Sequence, residues 1–155
     1  MIRHTVFDSH HGQTDERLYV MDEGKLLAYL DYSVYQGEPS IKMIKSMDPR
    51  KGYARALVLA LQAEYPETEI DWGMLTDDGA ALKHSLRFKE IVDPVMKGKS
   101  DLLTRVKAKL ADLEAKASAD TVRDFGDLWN RLYDMERRLE DELEHAKVSK
   151  LIIVG

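Results

Sequence analysis

The apolar residues of this chain change their spacing near residue 97, and this change limits the folds open to it. Before it, runs such as "KLLAYLDYSVYQ" are rich in the β-branched and aromatic residues typical of strands. After it, apolar residues recur at intervals of three and four, as in helices. Strands followed by helices predict the α+β class. Because "DPVMKGKS" at 93–100 contains proline and glycine, we place a boundary there, with domains at 1–96 and 97–155.

Charge and composition argue against several classes of protein. The formal net charge is −5, which argues against binding to nucleic acid. The absence of cysteine excludes disulfides, a thiolate nucleophile and cysteine-ligated metals. No stretch approaches the roughly 18 apolar residues of a membrane span, and the first residues lack the apolar core of a signal peptide. We therefore expect a cytoplasmic protein.

The first domain is predicted to begin with β-hairpins. The turn "DEGK" joins "RLYVMD" to "KLLAYLDYSVYQ", and "QGEP" joins the latter to "SIKMIKSM". These strands form an antiparallel meander from about residue 17 to 47. The opening "IRHTVFD" is expected to add an edge strand.

A helix is predicted directly after this meander. The run that follows Gly52 has helical spacing and ends at Tyr65, because Pro66 comes next. Downstream, "TEIDWGML" is typical of a buried strand, "DDGAALKHSLRF" of a short helix with acidic residues in its first turn, and "KEIVDP" of a last strand. Since a helix connects the meander to a following strand, the sheet is predicted to be mixed but mainly antiparallel.

The junction "MDPRKGYA" between strand and helix has the chemistry of an anion site. A helix N-terminus presents unpaired amides and a partial positive charge, and Gly52 lets the backbone approach an anion. Arg50, Lys51 and Arg55 add formal charge. The alternative is an ordinary turn that begins a helix among solvated cations, and this segment alone does not separate the two.

The stretch from about Leu18 to Phe88 resembles the Gcn5-related N-acetyltransferase family. The family's phosphate signature is Gln or Arg, two residues, Gly, one residue and then Gly or Ala, and it falls on "PRKGYA" with Pro49 at the first position. The resemblance implies that backbone amides of this segment bind the pyrophosphate of acetyl-coenzyme A (acetyl-CoA). The cofactor-binding residues that it implies are Met47, Arg50, Lys51, Gly52, Tyr53, Ala54 and Thr76.

The resemblance also implies a path for the rest of the cofactor and a position for the proton donor. In the family, the strand after this helix splays from its neighbour to admit the pantetheine arm, and "TDDGAALKHSLRF" resembles the helix that follows. Lys83 stands where the family usually has the tyrosine that protonates the departing thiolate. Asp71, on the predicted strand before it, is our candidate general base, with Asp31 as an alternative.

Aromatic and histidine residues give two further expectations. Tyr32, Tyr35 and Trp72 either line a pocket for the acceptor amine or pack within the sheet. The five histidines show no metal-ligand spacing, so the sequence predicts no metal site.

The second domain is predicted to be an antiparallel helical hairpin with a coiled-coil seam. Residues 118–120 form the link, and Asp120 is expected to cap the second helix. The predicted seam comprises Leu103, Val106, Leu110, Leu113 and Ala117 in the first helix, and Val122, Phe125, Trp129, Leu132, Glu136, Leu139, Leu143 and Ala146 in the second.

A two-helix hairpin leaves further apolar residues uncovered, among them Leu102, Leu128 and Tyr133. It therefore needs another surface, which is the sheet, a second copy of the chain or another protein. Residues 100–147 are the predicted interface for a homo-oligomer or a protein partner. The apolar tail "KLIIVG" either adds a strand to its own or a neighbour's sheet, or packs on its own domain.

Two functions remain open from the sequence. One is an acetyl-CoA-dependent N-acetyltransferase acting on an unidentified amine. The other is a protein that keeps the acetyltransferase scaffold without the catalytic groups and acts through its helical hairpin, in an assembly or as an inhibitor of a partner. Short members of this kind resemble proteins encoded by bacteria and their viruses.

Overall fold

A computed structural model describes residues 1–116 and 121–155 of the chain, the side chains of 121–125 excepted. Over these residues the fold is α+β, with a four-stranded antiparallel sheet, a two-stranded sheet and four helices. The elements are β1 (Ile2–His10), β2 (Gln13–Asp22), β3 (Lys25–Tyr35), β4 (Glu38–Ser46), α1 (Tyr53–Glu64), α2 (Asp77–Ser85), β5 (Phe88–Val92), α3 (Pro94–Lys116), α4 (Thr121–Glu144) and β6 (Ser149–Ile153).

The larger sheet is a meander in the order β1-β2-β3-β4, with each strand antiparallel to the next. The two predicted hairpins are confirmed, and the opening segment forms a full edge strand. In the β2–β3 turn, Glu23 and Gly24 both have positive φ, 45° and 79°. This pairing of two positive φ angles matches the right-handed twist of the flanking strands, which is why a "DEGK" turn specifies a hairpin.

The helix α1 packs its apolar face on this sheet and ends where the sequence predicts. Leu57, Val58 and Leu61 are fully buried in a core that includes Leu30 of β3 and Ile41 of β4. The helix stops before Pro66, whose ring would clash with the preceding turn.

The strand predicted at "TEIDWGML" is absent from the described residues, and so is the mixed sheet. What remains is one isolated parallel bridge between Ser40 and Asp71. Trp72 beside it is buried, but Gly73 takes a φ of 58° and lies so close to Ile41 that an added Cβ would be 3.0 Å from its carbonyl oxygen. This left-handed residue turns the chain out of the strand conformation, so the ladder stops after one bridge.

The C-terminal tail forms a strand that pairs within its own chain. It forms β6, which pairs with β5. Just beyond the two strands, the Arg87 N–H donates to the Gly155 carbonyl over 2.8 Å, and the Val154 N–H donates to the Arg87 carbonyl over 2.9 Å. The last predicted strand, "KEIVDP", therefore exists as β5 but belongs to this two-stranded sheet.

The chain divides into two compact units. The first comprises residues 1–90 and 150–155, and the second comprises residues 91–149. Because β5 and β6 pair with each other, α3 and α4 are an insertion in the connection between two paired strands.

The stretch at 93–100, where proline and glycine predict a domain boundary, contains the start of α3. Asp93 Oδ1 accepts hydrogen bonds from the backbone N–H groups of Val95 and Met96, over 2.9 and 3.3 Å. Pro94 occupies the first helical position, where its missing N–H costs nothing. Asp-Pro is thus a helix start in this chain.

Helices α3 and α4 share a small apolar cluster. Val106, Leu110 and Leu139 are its buried members, and the partly buried residues around them are Leu102, Leu103, Trp129, Leu132 and Met135. Ion pairs join Lys99 to Glu142 and Lys107 to Glu140 over 2.8 and 2.9 Å. The predicted link at 118–120, with its Asp120 cap, and the seam positions Ala117, Val122 and Phe125 lie outside the described residues or side chains. Within residues 1–116 and 121–155, no helix has both the length and the apolar character that crossing a bilayer requires.

Candidate functional site

The site predicted for a phosphate lies at the N-terminus of α1. Gly52 is the N-cap residue with φ 79°, and its carbonyl accepts the first helical hydrogen bond, from the Ala56 N–H over 3.0 Å. Among the described residues, no side chain caps this end, and the first turn contains no acidic residue. The first amides of the helix and the positive end of its dipole are thus not neutralised by the side chains that usually do so.

Space and charge around this helix end favour an anion. A Cβ built on Gly52 would have no described atom within 4 Å. Arg50 and Lys51 are exposed, and Arg50 itself has a positive φ of 72°. Two cations precede an open helix N-terminus, which is the arrangement that binds phosphate groups elsewhere.

The other predicted cofactor residues of this segment, Met47, Tyr53 and Ala54, lie between the end of β4 and the first turn of α1. The Met47 N–H donates to the Leu27 carbonyl over 2.8 Å, which continues the β3–β4 pairing up to this loop, while the Met47 side chain is 44% exposed. Tyr53 packs against the core and Ala54 is partly buried, so both anchor the first turn of α1. Residues 47–54 therefore run from the end of β4 into α1 without a break.

Thr76 and Arg55 have local structural partners. Thr76 is the N-cap of α2, and its Oγ1 accepts a hydrogen bond from the Gly79 N–H over 3.2 Å. Arg55 donates from a terminal guanidinium nitrogen to the Ser85 carbonyl over 3.3 Å, at the other end of α2. Arg55 thus links the first turn of α1 to the last residue of α2.

Asp71, the candidate base, is exposed, and its carboxylate accepts two hydrogen bonds. Its Oδ2 accepts from Ser40 Oγ over 3.2 Å, and its Oδ1 accepts from the Gly73 N–H over 2.9 Å. Its backbone forms the bridge to β4 through the Ile41 N–H, over 2.7 Å. A carboxylate has about four lone-pair positions, so two hydrogen bonds leave it able to accept a proton.

Lys83, the candidate proton donor, lies on α2 beside Trp72. Its Nζ is 5.8 Å from the centre of the Trp72 ring, within cation–π range. It lines a cavity of about 80 Å³ together with Trp72 and Phe88, and a more open one of about 340 Å³ together with His84 and Phe88. Lys83 therefore contacts the residue that follows Asp71 in the chain, while the Asp71 side chain itself contacts Ser40 and Gly73.

The aromatic residues predicted to line an acceptor pocket differ in their surroundings. Tyr32 is 2% exposed and belongs to the sheet core, and Tyr35 is half exposed at the end of β3. Trp72 is buried and lines the smaller cavity. Tyr32 therefore packs within the sheet, whereas Trp72 lines a cavity.

The structure also groups polar residues that sequence spacing does not bring together. His4 Nε2 lies 2.6 Å from Glu16 Oε1, while Thr14 Oγ1 donates to Glu16 Oε2 over 2.7 Å. The Tyr32 hydroxyl is 3.5 Å from Glu16 Oε1, and burial, followed by the negative charge of Glu16, raises the pKa of this hydroxyl. Alternation along β2 places Thr14 and Glu16 on one face of the strand. Their partners on β1 and β3 depend on strand register, which the sequence does not show.

Comparison of the chain with protein-family models, with curated proteins and with solved structures found no match.

Proposed function

We propose that this protein binds acetyl-CoA at the N-terminus of α1 and transfers the acetyl group to an amine. The observation that carries the proposal is the uncapped, open helix start at Gly52, preceded by Arg50 and Lys51. It coincides with the segment "PRKGYA", on which the resemblance to the Gcn5-related N-acetyltransferases rests.

The residues present fit the phosphate end of the ligand. Amides at the start of α1 would hold the pyrophosphate through hydrogen bonds to charged oxygens, which are stronger than neutral ones. Arg50 and Lys51 would add two formal positive charges where the helix supplies a partial one. Gly52 would keep this approach free of a side chain.

The limited pairing beyond β4 supports a path for the pantetheine arm. Residues near Asp71 pair with β4 through one parallel bridge at Ser40, and the ladder stops at Gly73, which has a positive φ and lies against the Ile41 carbonyl. Where a ladder stops, the next backbone N–H and C=O groups need other partners, and the amide-rich arm of the ligand would supply them.

The proposed reaction is nucleophilic attack of an amine on a thioester, assisted by a general base and a general acid. When bound, acetyl-CoA supplies the acetyl group as a thioester, and the acceptor nitrogen forms a bond to the acetyl carbon as the carbon–sulfur bond breaks. Asp71 would take the proton that the amine loses. Lys83 would give a proton to the sulfur that leaves.

This activity can be measured by the thiol that it releases. Because the chain contains no cysteine, an aromatic disulfide reagent reports coenzyme A thiol with no protein background. We expect acetyl-CoA with a panel of polyamines, lysine peptides and aminoglycosides to release thiol with at least one amine. Asp71→Asn should lower that rate by about 100-fold while thermal stabilisation by acetyl-CoA persists. Thiol release that is unchanged in Asp71→Asn and Lys83→Met would contradict the assigned roles.

A second candidate function is protein binding through an antiparallel hairpin of α3 and α4. The observation in its favour is the exposure of Leu128 and Tyr133, at 40% and 44%, on a helix whose Trp129 already stacks on Tyr133 with ring centres 5.2 Å apart. A homo-oligomer or a protein partner would cover this surface within residues 100–147. Light scattering of the full chain would show a dimer or larger species that Leu128→Ser with Tyr133→Ser returns to a monomer. A wild-type monomer would exclude self-association.

A further inference from the structure

One end of the larger sheet brings two carboxylates and an imidazole together. Asp8, His10 and Asp15 each offer a ligand atom within 4.8 Å of the others. The strand register explains this convergence. Asp8 of β1 lies directly opposite Asp15 of β2, and His10, two residues after Asp8, is on the same face of the strand.

Two carboxylates lie opposite each other in this arrangement, with one imidazole beside them. Like charges directly opposite each other on antiparallel strands destabilise the pair. His10 Nδ1 lies 3.2 Å from Asp8 Oδ2 and offsets part of this repulsion only when the ring is protonated. A divalent cation between the carboxylates would offset more of it and would use the imidazole as a neutral ligand.

Groups outside the set hold both carboxylates in position. Asp8 Oδ1 accepts from the Ser9 N–H over 2.8 Å. Asp15 Oδ1 accepts from the hydroxyl of Ser33 over 2.7 Å and from Gln13 Nε2 over 3.1 Å, and Ser33 is only 5% exposed. Hydrogen bonds of this kind orient the ligands of metal sites and strengthen metal binding.

We propose that Asp8, His10 and Asp15 bind a divalent first-row transition metal ion. One imidazole nitrogen with two carboxylate oxygens suits ions such as Zn²⁺, whereas Mg²⁺ and Ca²⁺ prefer oxygen ligands alone. The side chains of Asp8 and His10 are 64% and 44% exposed, so solvent reaches the ion and water completes its coordination.

The site is separate from the proposed acetyl-CoA site. The row that contains His10 continues across the sheet through Gln13 and Tyr35 to Glu38, the first residue of β4. Gly52 follows the other end of β4, whose nine residues span about 30 Å at about 3.3 Å per residue. Metal binding therefore tests a different claim from acetyl-CoA binding.

Titration calorimetry with ZnCl₂ on the full chain, without any affinity tag, tests the proposal. We expect one ion per chain, with binding of Mg²⁺ at least about tenfold weaker. His10→Gln and Asp8→Asn should each weaken Zn²⁺ binding by about tenfold or more, and Ser33→Ala by about tenfold through its effect on Asp15. The matched control is His11→Gln, which removes the adjacent histidine and should leave the affinity within about twofold.

A second measurement keeps the result independent of folding. Circular dichroism without metal should be the same in all variants, and Zn²⁺ should raise the melting temperature of the wild type and His11→Gln but not of His10→Gln. Absence of wild-type binding at millimolar Zn²⁺, or equal affinity in His10→Gln and the wild type, would overturn the proposal.

Discussion

The Ile153 backbone N–H donates a hydrogen bond to Gln62 Oε1 over 3.0 Å, which ties the C-terminal strand to α1. The same side chain donates from Nε2 to the carbonyls of Tyr65 and Thr68, over 2.7 and 2.9 Å. Gln62 is 4% exposed, so one buried amide satisfies three backbone groups from segments that are distant in sequence. The end of the chain therefore completes the core of the first unit.

Replacing Gln62 by leucine should strongly destabilise the protein. Gln62→Leu leaves buried backbone groups without partners, at a cost of about 1–3 kcal/mol for each group that water cannot reach. Urea unfolding should show a lower midpoint with an unchanged slope. Leu151→Ala, at a half-exposed position of β6, is the control and should cost less. An equal effect of the two changes would show that Gln62 is not a structural link.

Stability should fall at alkaline pH because of buried tyrosines. Burial raises the pKa of the Tyr32 hydroxyl and, to a lesser degree, that of Tyr65. The unfolded chain loses these protons first, near pH 10, so the stabilisation is complete below about pH 10 and is lost as the pH rises further. Urea midpoints measured between pH 8 and 11 should fall less steeply in Tyr32→Phe than in the wild type. The half-exposed Tyr35 supplies the control: if Tyr35→Phe flattened the curve as much, the assignment to Tyr32 would be wrong.

Replacing Arg17 by lysine should lower the free energy of unfolding. Its guanidinium forms two hydrogen bonds to Asp31, over 2.5 and 2.8 Å, and lies 4.1 Å from the ring centre of Tyr29. Lysine cannot reproduce either the paired hydrogen bonds or the planar stacking. Because both side chains are partly exposed, we expect Arg17→Lys to cost about 1 kcal/mol, measured by urea unfolding. In a double-mutant cycle with Asp31→Asn, additive effects would contradict a coupled pair.

The local signals in the sequence were sufficient for the hairpins and for the two helices of the first unit. Turns such as "DEGK" act through the backbone angles of two residues, and Pro66 ends α1 through its own ring, so neither depends on distant contacts. The acidic first turn of α2 is also as predicted. The candidate site residues within 47–54 lie together because they are neighbours in the chain, so their grouping depends on no distant contact.

Features that depend on distant contacts could not be predicted. The run "TEIDWGML" predicts a strand, but a short apolar run does not reveal whether it has hydrogen-bonding neighbours. Proline at 94 predicts a boundary rather than the start of α3, whereas Asp93 and Pro94 together begin the helix. The convergence of His10 with Asp8 and Asp15 depends on strand register, which ligand spacing along the sequence does not show.

The most direct test of the account is calorimetric titration of acetyl-CoA into the wild type, Gly52→Glu and Gly37→Glu. Both glycines have similar positive φ angles, 79° and 76°, and neither has a described atom within 4 Å of an added Cβ, so the two substitutions carry the same strain and charge. Gly37 precedes β4 and Gly52 follows it. We predict that Gly52→Glu lowers the affinity by about tenfold or more, because a carboxylate would occupy the anion position at the start of α1, and that Gly37→Glu binds like the wild type. Equal affinity in the two variants, or no binding by the wild type at millimolar acetyl-CoA, would contradict the proposed cofactor site.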